Sequence, residues 1–210
     1  MLTTDKLPRK HLGKFTEQIN NWLGDMIRTR QLPPPKNGVE KYELGEQFLM
    51  VSMQDPEVKV ETSPGEDLAR MVERTGRRHH QLKYGAEPVA YARSLVDEDE
   101  TLCQLFATKL APSVGAAITW LDEHEDQFEK GSWLVRLVSI PTFHTHVFLI
   151  QNMENGSDEP ELDSKILVVS RPPWMEDTLP KEELLTSSKF LLGFKGKKPI
   201  LGLGEQREQF

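Results

Sequence analysis

Only one cysteine, Cys103, stands in the 210-residue chain, so no disulfide can form within it, and a reducing, cytoplasmic setting is expected. No apolar run approaches the roughly 20 residues that a helix needs to span a bilayer. The first residues also lack the apolar segment of a secretory signal, so no membrane partner is expected. Recognisable catalytic motifs are missing as well: there is no Gly-x-Ser-x-Gly elbow, His-Glu-x-x-His, Cys-x-x-Cys, phosphate-binding loop or dinucleotide fingerprint. These absences remove chemistries that are legible in a short segment, and leave those whose groups meet only in the fold. The chain shows no internal repeat. Its net charge of -7 opposes broad attraction to nucleic acid, which is therefore an unlikely partner without a local basic patch.

What the chain does have is a β-rich centre. Residues 133–140 and 143–151 are rich in β-branched and aromatic side chains and are separated by Pro141-Thr142, which reads as two antiparallel strands around a tight turn. Residues 166–169, Ile-Leu-Val-Val, extend them to a meander. Alternation puts Phe143, Thr145, Val147 and Leu149 on one face and His144, His146, Phe148 and Ile150 on the other. Both faces are mostly apolar, so the sheet should be covered on both sides.

Around this centre, Leu12, Phe15, Ile19, Trp22, Leu23, Met26 and Ile27 form the stripe of an amphipathic helix over residues 8–30, closed by Pro33-Pro34-Pro35. Residues 47–53 read as a strand, with residues 58–60 as its hairpin partner. Ser63-Pro64-Gly65-Glu66 carries the signature of a helix start, and Gly76 can close that helix. Residues 89–96 suggest a further strand. The acidic run 97–100 leads into a helix bearing Leu102, Leu105, Phe106 and Leu110, another helix follows Pro112, and a last one spans residues 178–193. Residues 152–164 make a polar loop. The fold class is α+β: an antiparallel sheet of about five to seven strands with helices packed on it. The expected organisation is an N-terminal helix and connector over residues 1–35, a domain over 36–193 and a C-terminal tail over 194–210.

Three groups of residues could carry function. His144 and His146, two apart on a strand, point the same way, and imidazole is a common metal ligand and acid-base group; a divalent metal would need further ligands. Arg74, Arg77, Arg78 and Lys83 make the densest positive charge in the chain, which suits a phosphate or an acidic segment, or else a solvated helix end. Trp174, in a proline-stiffened segment, and Phe194 and Phe210, in the tail, are candidates for contact with a protein partner. Cys103 reads as a small buried hydrophobe. The leading functional expectation is a non-catalytic protein-protein interaction module, an adaptor or subunit of a larger assembly. The alternative is a hydrolase using His144 and His146, and the third is anion or nucleic-acid binding through the basic cluster.

Overall fold

The computed structural model describes residues 2–4, 8–32, 42–63, 65–95, 102–106, 110–128, 131–153 and 164–200. Along the chain these form β1 (Leu2–Thr4), α1 (Arg9–Arg28), β2 (Glu43–Ser52), α2 (Pro56–Thr62), α3 (Leu68–Met71), β3 (Glu73–Tyr84), β4 (Glu87–Leu95) and β5 (Leu102–Phe106). There follow α4 (Leu110–Glu123), β6 (Trp133–Ile140), β7 (Thr145–Asn152), β8 (Lys165–Ser170), β9 (Leu184–Thr186) and α5 (Ser187–Leu192). The strands make one nine-stranded sheet in the order β5-β4-β3-β2-β6-β7-β8-β9, with β1 also paired to β6. Its centre is the parallel pair β2 and β6, from which an antiparallel meander spreads to each side. The class is α+β, as the sequence suggested.

Helices cover both faces. In α1, Phe15, Ile19 and Leu23 recur every four residues, are buried, and pack on Leu82, Ala90 and Ala92 of β3 and β4. The two alanines leave room for a helix to lie close to the sheet. The N-terminal helix thus packs on its own core. On the same face, α2, α3 and α5 cover the second meander, whose Val147, Leu149, Ile166 and Val168 meet Leu68, Met71, Phe190 and Leu191. The opposite face carries α4, whose Leu110, Ala111, Val114, Ala117 and Leu121 pack with Phe48, Phe148 and Ile150. Pro112 falls in the first turn of α4, where its missing N–H breaks no helical bond.

The structure corrects several local readings. Residues 58–60 belong to α2, started by Pro56 after a left-handed Asp55, instead of pairing as a strand. The helix expected after residue 63 shrinks to the four residues of α3, capped by the Asp67 carboxylate, which accepts from Ala69 N at 2.8 Å. Gly76 does not end a helix; its positive φ of 66° serves an irregularity within β3, where register jumps from Met50–Arg77 to Val51–Arg74. Residues 102–106 are a strand on β4 instead of a helix, because spacings of three and one among Leu102, Leu105 and Phe106 fit either element and the open edge of β4 decides it. The last helix is only Ser187–Leu192, capped by the Thr186 hydroxyl. Phe194, read as part of a tail, is fully buried, its ring 4.9 Å from Phe143 and 5.2 Å from Phe190. The acidic run 97–100, the polar loop over 154–163, the side chain of Cys103, the triple proline 33–35 and Phe210 lie outside what is described.

Candidate functional site

The charge-rich segment 73–84 is a strand in the interior of the sheet, not a helix end, and this takes the basic cluster apart. Nine residues of strand at about 3.3 Å each separate Arg74 from Lys83 by about 30 Å, too far for one small ligand. Arg74 is exposed, whereas Arg78 is buried on the α1 side, next to His80. Lys83 sits at the opposite end of β2, donating from Nζ to Glu46 Oε1 at 2.8 Å near Asp122. Burial, with the Glu46 charge second, raises the Asp122 carboxyl above its usual range. Arg77 and Lys83 both face the α4 side, at opposite ends of β3.

At its own end, Arg77 joins residues that the sequence does not place near it. A cavity of about 490 Å³ is lined by Met50, Ser52, Thr75, Arg77, Arg93, Ser139, Pro141, His144 and His146. It lies near the carboxyl ends of β2 and β6, on the face of the sheet that carries α4. Ser52 and Ser139 are register partners across the parallel pair, so their hydroxyls sit side by side in its floor. On β3 the register partner of Ser52 is Glu73 and that of Met50 is Arg77, while His146, the register partner of Ser139, flanks the pair from β7. Arg93 arrives from β4, directly opposite His79. Among the described lining residues, every charged side chain is basic.

The two histidines reach the cavity differently from expectation. His144 does not lie on the strand; it ends a short 3-10 turn, Pro141–Phe143, in the left-handed region at φ 47° and is exposed. His146 is on β7, with Nδ1 3.0 Å from Ser170 Oγ. Burial first, then the charge of Arg93 and the neighbouring His144, lower its pKa to about 4, so it is neutral at physiological pH. Among the described residues, no group of three His, Cys, Asp or Glu side chains converges as a metal site would require.

Behind the cavity, a polar chain crosses from the sheet to α4. Gln81 Nε2 donates to the carbonyl of Ala111 at 2.5 Å, which fixes the amide so that Oε1 faces His79 Nε2 at 3.0 Å. Since Oε1 can only accept, Nε2 of His79 carries the proton and Nδ1 holds a lone pair. Burial, with Arg93 and His146 contributing, lowers the His79 pKa to about 3 even though the Gln81 bond opposes the shift. The neutral ring stacks on Tyr91 at 4.6 Å between centroids, and the Arg93 guanidinium lies 5.5 Å from the same Tyr91 ring. Thr75 is occupied locally: its hydroxyl donates to Met50 O at 2.8 Å and accepts from Arg77 N at 3.2 Å, which settles backbone groups where the register breaks.

No family model, curated protein or solved structure matches this chain. The reading of the site therefore rests on its geometry. Sequence reasoning singled out Arg77, His144 and His146 but assigned them to separate hypotheses. It missed Arg93, Ser52 and Ser139, and the one signal for Arg93 was an arginine interrupting an apolar strand. Of the residues proposed for partner contact, Trp174 is 46% exposed on the short turn Pro173–Met175, with its ring 6.2 Å from Phe143. Phe194 belongs to the core, so burial removes it from any contact surface.

Proposed function

We propose that the protein binds a small anionic molecule in the cavity near the carboxyl ends of β2 and β6. The observation that carries this reading is the convergence of Arg77, Arg93, His144 and His146, from three strands and a turn, on one cavity of about 490 Å³. That volume falls within the range of about 300–1,000 Å³ typical of small-molecule sites. Guanidinium groups suit oxyanions because each presents several N–H donors in a fixed fork, so one edge can meet a ligand while another is engaged within the protein. The net negative charge of the chain makes a local basic cavity more selective for a small anion than for a polyanionic surface. Residence in the cytoplasm is part of the proposal, supported by the single cysteine.

Titrating the full chain with inorganic phosphate while recording amide resonances tests the reading. Shifts should concentrate at residues lining the cavity, and Arg77→Gln should weaken binding by about tenfold, the loss of one charge-assisted bond. Titration without any shift at the lining residues would sink the idea.

A second reading, the protein-protein interaction module, retains one supporting observation in the exposed Trp174. Large exposed aromatic side chains are favoured at interface centres. The hydrolase reading draws on the same two histidines, and its metal-dependent form lacks a third ligand among the described residues.

A further inference from the structure

Where α4 crosses β8, the packing is incomplete. A cavity of about 230 Å³ is left there, walled by Ala116, Ala117 and Trp120 of α4 and by Leu167 and Val169 of β8. The two alanines leave room that the leucine and the valine do not fill. Its volume lies below the range of about 300–1,000 Å³ common for small-molecule sites, so only a compact ligand fits. One wall is fixed in place: the Trp120 ring is stacked on His124 at 4.1 Å between centroids and 16° between planes. His124 Nδ1 in turn donates to the Trp120 carbonyl at 2.8 Å, since a carbonyl can only accept.

The mouth carries one charge of each sign. Lys181 and Glu182, adjacent in the chain and both exposed, line the cavity from the segment that precedes β9. Neither side chain makes a hydrogen bond or ion pair with another described residue, whereas the next residue, Glu183, is paired with Lys189. Glu182 is also held in the left-handed region at φ 60°, which is uncommon for a residue with a Cβ, and strain of this kind clusters at sites that bind a ligand. A simple anion would meet Lys181 but be opposed by Glu182, and a simple cation the reverse. A zwitterion complements both. The apolar walls add a demand for an aliphatic group. An α-amino acid combines these features, because its ammonium, its carboxylate and its side chain leave from one carbon.

We infer that this cavity is a second site, which takes a free α-amino acid with an aliphatic side chain: its ammonium at Glu182, its carboxylate at Lys181 and its side chain against Ala117, Trp120 and Val169. The site shares no lining residue with the cavity near β2 and β6, so it stands or falls apart from the anion reading. Titrating the full chain with L-leucine while recording amide and indole resonances tests it. The comparators 4-methylpentanoate, 3-methylbutylamine and L-serine lack, in turn, the ammonium, the carboxylate and the aliphatic group. L-Leucine should shift Ala116, Ala117, Val169 and the Trp120 indole, and should bind at least about threefold tighter than either single-charge analogue, the scale of one exposed ion pair. L-Serine should leave these resonances unmoved. Any 4-methylpentanoate held in the other cavity is read apart, because Arg77 and His146 report that site. Glu182→Gln should weaken leucine by about threefold and leave 4-methylpentanoate unchanged, and Lys181→Gln should weaken leucine equally and leave 3-methylbutylamine unchanged. Both side chains are exposed, so the variants keep the fold. Either single-charge analogue binding here as tightly as leucine, or L-serine matching it, would overturn the amino-acid assignment. So would leucine shifts that are absent or confined to residues outside this cavity, or leucine affinity unchanged in both variants.

Discussion

The two halves of the sheet have the same topology and opposite interiors. From β2 the chain winds outward through β3, β4 and β5 to α4, and from β6 it winds outward through β7, β8 and β9 to α5. Since β2 and β6 are parallel neighbours, the halves are related as if by a two-fold axis along that pair, and accordingly α4 and α5 lie on opposite faces. In the second half, the buried centre is Val147, Phe148, Leu149 and Ile150 against Ile166, Leu167, Val168 and Val169. In the first half, the corresponding strands bury Arg78, His79, His80 and Gln81 against Ala90, Tyr91, Ala92, Arg93 and Ser94. An apolar centre needs only shape, whereas a polar one must supply partners for each group. Some partners are present: His79 Nε2 with Gln81, Gln81 with Ala111, and His80 Nε2 with Ser94 Oγ at 2.8 Å, while Nδ1 of His79 is buried without a hydrogen bond. The second half has an apolar centre and still contributes Ser139, His144 and His146 to the cavity, whereas the first buries its polar groups within the sheet.

The contrast can be broken from either side. Phe148 is fully buried and its ring lies 4.8 Å from Phe48 across the two halves, so Phe148→Ala should cost about 3–5 kcal/mol in urea unfolding. A loss below about 1 kcal/mol would mean that the second half lacks the packed apolar centre described.

Acid should test the first half. Burial holds the folded pKa of His79 at about 3 and of His80 at about 2, against an ordinary value of 6.5 for an unfolded histidine. For groups depressed in this way, the unfolded chain binds more protons below its own pKa. The stability they confer is therefore complete above about pH 6.5 and is lost as pH falls toward the folded values. By about pH 4.5 the loss should reach roughly 2–3 kcal/mol per histidine, measured as urea midpoints at neutral and acid pH. His80→Leu should remove about a third of the drop, since His146, lowered to about 4, contributes beside His79 and His80. A stability that stays level to about pH 4.5 would break the comparison.

The smallest effect is expected at Trp174, which follows the apolar half and is largely outside its core. Trp174→Ala should change stability by less than about 1 kcal/mol, because the side chain is largely exposed and its ring lies 6.2 Å from Phe143. If the interaction-module reading holds, the same variant should lose capture of a protein partner that the native chain retains. Equal capture by both would remove that reading.

Much of the second half was legible in the residues themselves. Alternation in 143–151 assigned Val147 and Leu149 to one face and Phe148 and Ile150 to the other, and the two core clusters divide them in this way. Little of the first half was legible. Glu73 to Tyr84 has no apolar alternation, and its charges resemble a solvated helix end, so nothing short of its neighbours β2 and β4 marks it as a central strand. The histidine pair shows a milder failure: strand period placed His144 beside His146, but the turn at Pro141–Phe143 lifts His144 out of the strand.

By itself, then, the sequence determined the α+β class, the apolar meander and the stripe of the N-terminal helix, because each depends on local period and propensity. Only the tertiary structure decided that Arg77, Arg93, Ser52, Ser139, His144 and His146 share one cavity. These residues come from segments up to 94 positions apart in the numbering of Ser52 and His146. Their meeting depends on the parallel pairing of β2 with β6, a long-range register that no short stretch of sequence encodes.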